Sequence, residues 1–106
     1  MPYRVDLTLR AERDLEHLYE WIAAASSIAA ARWFNGLEDA ILSLERFPRR
    51  CAVAPESRRT RRRLRHLFHG AKPDIYRVVF QLDEKRKVVS VLTIRHGAMD
   101  ELTGNE

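Results

Sequence analysis

Hydrophobic and polar residues alternate from Tyr3 to Leu9. Val5, Leu7 and Leu9 face one way and Arg4, Asp6 and Thr8 the other, which predicts a half-buried strand. The period then changes. Leu15, Leu18, Tyr19 and Ile22 recur at helical spacing, while Glu12, Arg13, Glu16 and Glu20 fall largely off that stripe. Thr8 suits the N-cap of this helix, with Glu12 and Asp14 early, where the helix dipole favours negative charge. Ser26-Ser27 interrupts an alanine-rich stretch, and one of the two serines suits the N-cap of a second helix. That helix is expected from about Ile28 to Phe47, where Trp33, Leu37, Ala40, Ile41 and Leu44 repeat at three and four residues. Pro48 stops it. So short a break predicts an antiparallel αα-hairpin.

Residues 48–63 hold two prolines, many charges and little periodicity, and read as a loop leading into a strand. Three short strands are expected: Leu64 to Phe68, ended by His69-Gly70, then Ile75 to Leu82, then Val88 to His96. The polar link Asp83-Glu84-Lys85-Arg86-Lys87 makes the last two a hairpin. In the middle strand Tyr76, Val78, Phe80 and Leu82 share one face, and Arg77, Val79 and Gln81 the other. Gly97 ends the last strand, and Ala98 to Glu106 reads as a polar tail. The order β-α-α-β-β-β groups the helices. It predicts an α+β fold with a helical hairpin packed on one face of a mainly antiparallel sheet. The opposite face is expected to be bare, carrying Arg77 and either Arg95 or His96.

With 106 residues, one domain spanning 1–106 is expected. A composition of 45% hydrophobic and 32% charged residues is globular and excludes a disordered tail or a fibre. Cys51 is the one cysteine, so no internal disulfide forms, and a reducing cytoplasm fits best. The longest apolar run, Trp21 to Ala25, is far short of the ~20 residues a membrane span needs. Residues 1–6 contain no apolar signal core. No membrane partner is expected.

Charge changes the picture more than composition does. The net charge is +4, but eight arginines and one acid, Glu56, lie between Arg49 and His66. That segment carries +7 and the rest of the chain −3. Arg58, Arg59, Arg61, Arg62, Arg63 and Arg65 are therefore candidate partner-binding residues for phosphate or an acidic protein. The alternative is a solvated loop that keeps the protein soluble. Arginine outnumbers lysine sixteen to three, which suits bidentate grip on anions or reflects genomic base composition.

Catalytic signals are sparse. There is no glycine-rich phosphate loop, no paired-carboxylate spacing and no nucleophile elbow. His66 and His69 are three apart on a strand and point to opposite faces, so no metal site is expected, nor a cofactor. Arginines beside Cys51 could lower its pKa, but with no resolving cysteine and no clear base an incidental loop thiol is the preferred reading. Metal-free RNA cleavage needs a base, an acid and cations on the developing phosphorane charge. Arg77, Arg95 and His96 on a bare sheet face are the candidates for those roles. Alternatively Arg77 and Arg95 pair with acids such as Asp74 or Asp100 and hold the sheet's end.

The chain resembles the RelE/ParE toxin superfamily. The resemblance rests on Tyr3-Arg4-Val5 followed by Ala11-Glu12-Arg13-Asp14-Leu15, and on three later stretches. These are Arg65-His66-Leu67-Phe68-His69-Gly70, Tyr76-Arg77-Val78-Val79-Phe80 and Ile94-Arg95-His96-Gly97-Ala98-Met99-Asp100. The resemblance implies the toxin of a bacterial toxin–antitoxin module, often described as a plasmid stabilisation system. RelE-type members cut mRNA in the ribosome with lysines, arginines and a tyrosine or histidine near the C-terminus. ParE-type members inhibit DNA gyrase and trap it on broken DNA. Fold alone does not choose between them. Here no lysine precedes Lys72, and residues after His96 include no tyrosine, histidine, lysine or arginine. The ParE-like branch therefore fits better, with no catalytic residue. The nuclease alternative rests on Arg77, Arg95 and His96. The implied partners are a ParD-like antitoxin with an acidic segment and DNA gyrase, and the toxin alone is not expected to bind DNA sequence-specifically. Trp21 and Trp33, on the helical hairpin, either anchor the antitoxin or pack the core.

Overall fold

The structure, a computed structural model, describes residues 2–71 and 74–97. Strand β1 (Arg4–Leu7) leads into helices α1 (Leu9–Ala25) and α2 (Ser27–Leu42). A 3-10 turn at Ser43–Glu45 and another at Pro48–Arg50 follow, then a one-turn helix α3 (Ser57–Thr60). Strands β2 (Leu64–Ala71), β3 (Asp74–Asp83) and β4 (Val88–His96) complete the regular structure of the described residues. The predicted α+β order is present, with α3 as an addition inside the expected loop. The polar tail at 98–106 and the Asp100 pairing lie outside the described residues.

The caps are the ones the sequence marks. Thr8 accepts from Ala11 N at 3.2 Å and donates to Val91 O at 2.9 Å, which starts α1 and ties it to β4. Ser26 accepts from Ala29 N at 3.1 Å and starts α2. Boundaries differ most at three places, the first being β2, which pairs with β3 as far as Ala71 instead of ending at His69-Gly70. β1 ends at Leu7 because Thr8 already turns the chain, so Leu9 opens the helix and is exposed instead of continuing the apolar strand face. α2 ends at Leu42 because the backbone tightens into the 3-10 turn before Pro48.

The sheet order is β1-β4-β3-β2. β2, β3 and β4 are antiparallel neighbours, and β1 lies parallel to β4. A register shift between Val79 and Phe80 leaves residues 78, 79 and 80 all buried, on alternating faces. Val78, Phe80, Val89, Val91 and Ile94 meet Ala11, Leu37, Ile41 and Leu44 from the helices in the main core. Gly70 closes the β2–β3 connection at φ 103°, where a Cβ would strike the Asp74 carbonyl.

Candidate functional site

The face away from the helices is not bare, contrary to the sequence expectation. Leu64 and Val79 are apolar there, and Ala54 covers them with help from Leu92 in a second small core. The cover is fastened along the outer edge of β2. Ala54 N donates to Leu64 O at 2.7 Å and His66 N to Ala52 O at 3.1 Å. Ser57 Oγ accepts from Leu64 N at 2.9 Å and donates to Leu64 O at 3.0 Å. These bonds fix the base of α3 and of the turn that leaves it. Arg58, Arg59, Arg61, Arg62 and Arg63 project from that base and are all exposed. Arg65 has a different place. It is half-buried, and its Nη1 donates to Cys51 O at 2.6 Å, stapling β2 to the preceding turn.

Arg77 lies at the centre of the same face and is only 5% exposed. Its guanidinium grips Glu56 bidentately, through Nη1 to Oε1 at 3.2 Å and through Nη2 to Oε2. Nη1 also meets His66 Nδ1 at 2.6 Å. Burial alone would raise the Glu56 carboxyl. Hydrogen bonds from Arg77 and its own backbone amide, with the positive fields of Arg77 and His66, outweigh burial and hold it below its ordinary value. Glu56, the one acid of the arginine-rich segment, thus ties that segment to the sheet. Sequence reasoning missed this role. The signal was a lone carboxylate among eight arginines.

Arg95 stands directly across from Arg77 in the β3–β4 register. It lines an open groove of about 550 Å³ with Arg10, Arg59, Arg62, Thr93 and Glu56 among its walls. Among the described residues, four arginines from α1, α3, the following turn and β4 therefore line one concavity with a single carboxylate, Glu56. Arg10, in the first turn of α1, is an addition that only the fold reveals. The groove is built to attract anions.

His96 lies on the other side of the sheet. It packs edge-on to Tyr76 at 5.0 Å and to Trp21 at 5.8 Å, with Nε2 3.3 Å from Asp74 Oδ1. Burial, with the nearby Asp74 charge, pushes the Tyr76 hydroxyl above its ordinary pKa. The sheet thus separates His96 from buried Arg77, whereas Arg95 and His96 both line a second open groove of about 290 Å³ with Arg10, Asp14 and His17, so the three do not gather around one point. Trp21 is 61% exposed and Trp33 packs on the main core against Tyr76 at 5.2 Å. One tryptophan is thus a surface residue and the other a core residue. Trp33 Nε1 is buried without a hydrogen-bond partner among the described residues.

Cys51 is a loop thiol, just after the Pro48–Arg50 turn, but its side chain is buried in the main core. Burial pushes it above its ordinary pKa against the opposing fields of Arg50 and Arg65. His66 faces Val79 across β3 and His69 faces Tyr76, so the two rings occupy opposite sides of the sheet. Asp14 accepts from Thr93 Oγ1 at 2.5 Å and Ile94 N at 3.1 Å, which anchors α1 beside the groove.

Residues 5–101 match the family described as the ParE toxin of type II toxin-antitoxin system, parDE. No curated protein matches the sequence. Three solved structures align with nearly the whole chain. The chromosomal ParDE toxin–antitoxin system from P. aeruginosa is 15% identical, with 89% of this chain and 95% of that chain covered and a TM-score of 0.65. The RelBE2 toxin–antitoxin complex from Mycobacterium tuberculosis is 27% identical, with 92% and 94% covered and a TM-score of 0.58. A free-state mutant of E. coli toxin RelE is 18% identical, with 98% and 93% covered and a TM-score of 0.60. The first and third carry the fold alone.

Proposed function

The chain belongs to the ParE toxin family of type II toxin–antitoxin systems, and from that premise we propose that it acts by binding a protein target and not by cleaving bonds. The proposed target is DNA gyrase, with an antitoxin of ParD type as its neutralising partner. One observation carries this reading. The acid/base work of RNA cleavage would fall to His96, and His96 is held in an aromatic niche with Tyr76 and Trp21, on the opposite side of the sheet from buried Arg77. Arg77 is moreover saturated by Glu56 and His66, within a scaffold suited to holding a surface rigid.

The exposed arginines from 58 to 63, with the groove beside them, suit an acidic partner segment. An extended antitoxin segment orders on binding, and that loss is offset by buried contacts and charge pairing. A cytoplasmic site of action fits a bacterial target of this kind. Among the described residues no helix is long and apolar enough to cross a membrane.

The experiment is a supercoiling assay with purified gyrase. The protein in micromolar excess is expected to block supercoiling or to stabilise gyrase-cut DNA. No effect on either, together with cleavage of transcripts inside translated codons, would replace this reading with the ribonuclease one. In that case Arg95→Ala and His96→Ala would abolish toxicity.

A further inference from the structure

We propose that the turn at Phe47 is a second docking element, one that takes the chain's protein target through an apolar pocket bordered by carboxylates. The inference rests on the reading of the chain as a protein-binding toxin.

The joint between the two 3-10 turns takes one residue in the left-handed region, a conformation that glycine adopts with least strain. Here the residue is phenylalanine, at φ 49° and ψ 52°. Its ring is 82% exposed and belongs to neither hydrophobic core. Among the described residues nothing packs on the ring, and glycine would make the same turn. A bulky residue held in a sparsely populated conformation points outward, to function.

The base of the turn is fixed. Arg50 Nη1 donates to Arg46 O at 2.6 Å and Phe47 O at 3.2 Å, and its Nη2 donates to Ser43 Oγ at 2.8 Å. Pro48 is fully buried beneath the turn, and Tyr3 N donates to Glu45 O at 2.8 Å. A ring presented from a rigid base loses little freedom on binding. Phe47 also forms the ridge between two concavities. One, of about 420 Å³, is lined by Pro2, Tyr3 and Pro48, and the other, of about 600 Å³, by Leu42 and Ser43. Leu42 is 52% exposed and adds a second apolar group.

The charge at the rim names the partner's chemistry. Arg46, Arg49 and Arg50 border the ridge with Glu45, but Arg49 pairs with Glu84 at 3.4 Å and Arg50 is engaged within the turn, which leaves Arg46. Among the described residues Arg46 has no ion-pair partner, so a partner carboxylate completes it. An aromatic centre with an arginine rim is the composition of a protein–protein hot spot. A phosphate backbone would satisfy the arginines and leave Phe47 and Leu42 in water, so a protein surface is the better fit.

The test uses Phe47→Gly, which keeps the turn and removes the ring, and Phe47→Trp, which keeps an aromatic ring. Each is purified with the full chain and titrated against purified gyrase. Phe47→Gly is expected to match or exceed wild type in thermal stability and to lose about thirty-fold or more in affinity. Phe47→Trp is expected to retain binding. If Phe47→Gly binds gyrase as tightly as wild type, the docking proposal is overturned while the gyrase reading stands. If wild type does not bind gyrase, the gyrase reading falls, and growth arrest on expression at matched levels decides the docking proposal. Arrest by wild type and Phe47→Trp but not by Phe47→Gly supports it. Equal arrest by all three, or arrest by none, overturns it.

Discussion

Arg77 cannot shed its charge at any ordinary pH, so once its position on β3 is buried the fold must supply a carboxylate. Glu56 supplies it from 21 residues upstream. Replacing Glu56 with Gln leaves a buried cation uncompensated and is expected to destabilise the protein by about 2 kcal/mol. That is below the full value for breaking a buried pair, because the Glu56 side chain keeps some solvent access. Chemical denaturation of the two proteins measures it. The pH dependence has a defined sign. Glu56 is held below its ordinary value of 4.5, so its stabilisation is complete above about pH 4.5 and is lost as pH falls through the lowered folded value. The gap between wild type and Glu56→Gln therefore closes in acid. Cys51 makes the opposite case, since burial keeps its thiol protonated and enclosed. Labelling with a thiol reagent at pH 8 is expected to be slow in native protein and fast in denaturant. Equal rates in both would show an accessible thiol. Neither partnership was legible from the chain, because the Glu56–Arg77 pair and the Cys51 environment join segments that sequence spacing does not relate.

At the scale of elements, local signals translate most directly where one residue has one task. Thr8 and Ser26 are short polar side chains before apolar periodic stretches, and both cap as expected. The β4 bounds are likewise those that alternation predicts. Thr8 does more than cap, since its hydroxyl also donates to Val91 O. Thr8→Ala is accordingly expected to lower stability by about 1–2 kcal/mol, with Thr8→Ser recovering most of it, as read from thermal melts. The residues 48–63 resisted reading for a physical reason. Their hold on the sheet comes from backbone hydrogen bonds to β2 and from the small Ala54–Leu64–Val79 core. Neither leaves a periodic trace. The apparently bare face acquired its cover in this way, and Leu9 lost its expected burial because a cap one residue earlier redirected the chain.

For the whole molecule, charge is the property that reaches furthest. The arginine-rich segment lies on one side of the sheet, and its excess over the rest of the chain gives the molecule a polar field. Association with an acidic antitoxin is therefore expected to slow at least about tenfold between 0.05 and 0.5 M salt, while dissociation changes little. Stopped-flow kinetics would check both rates, and a salt effect confined to dissociation would contradict the field argument. The overall α+β architecture was readable from the grouping of helices and strands, and family membership agrees with it. What the chain order did not reveal is which residues share a side of the sheet near its end. The β3–β4 register decides that Arg95 joins Arg77 and that His96 turns the other way.

Strand β4 lies between β1 and β3, yet among the described residues it is the last of the four strands in chain order. Arg4 finds its partner at Val88, so on the ribosome the first strand waits through most of translation with an empty edge. Helices α1 and α2 can form early, but the layer they rest upon is split until Val88–His96 emerges. A message broken off upstream of that point yields two unjoined halves of a sheet and no working surface. The producing cell is thus exposed to harm only by copies in which Val88–His96 has already been made.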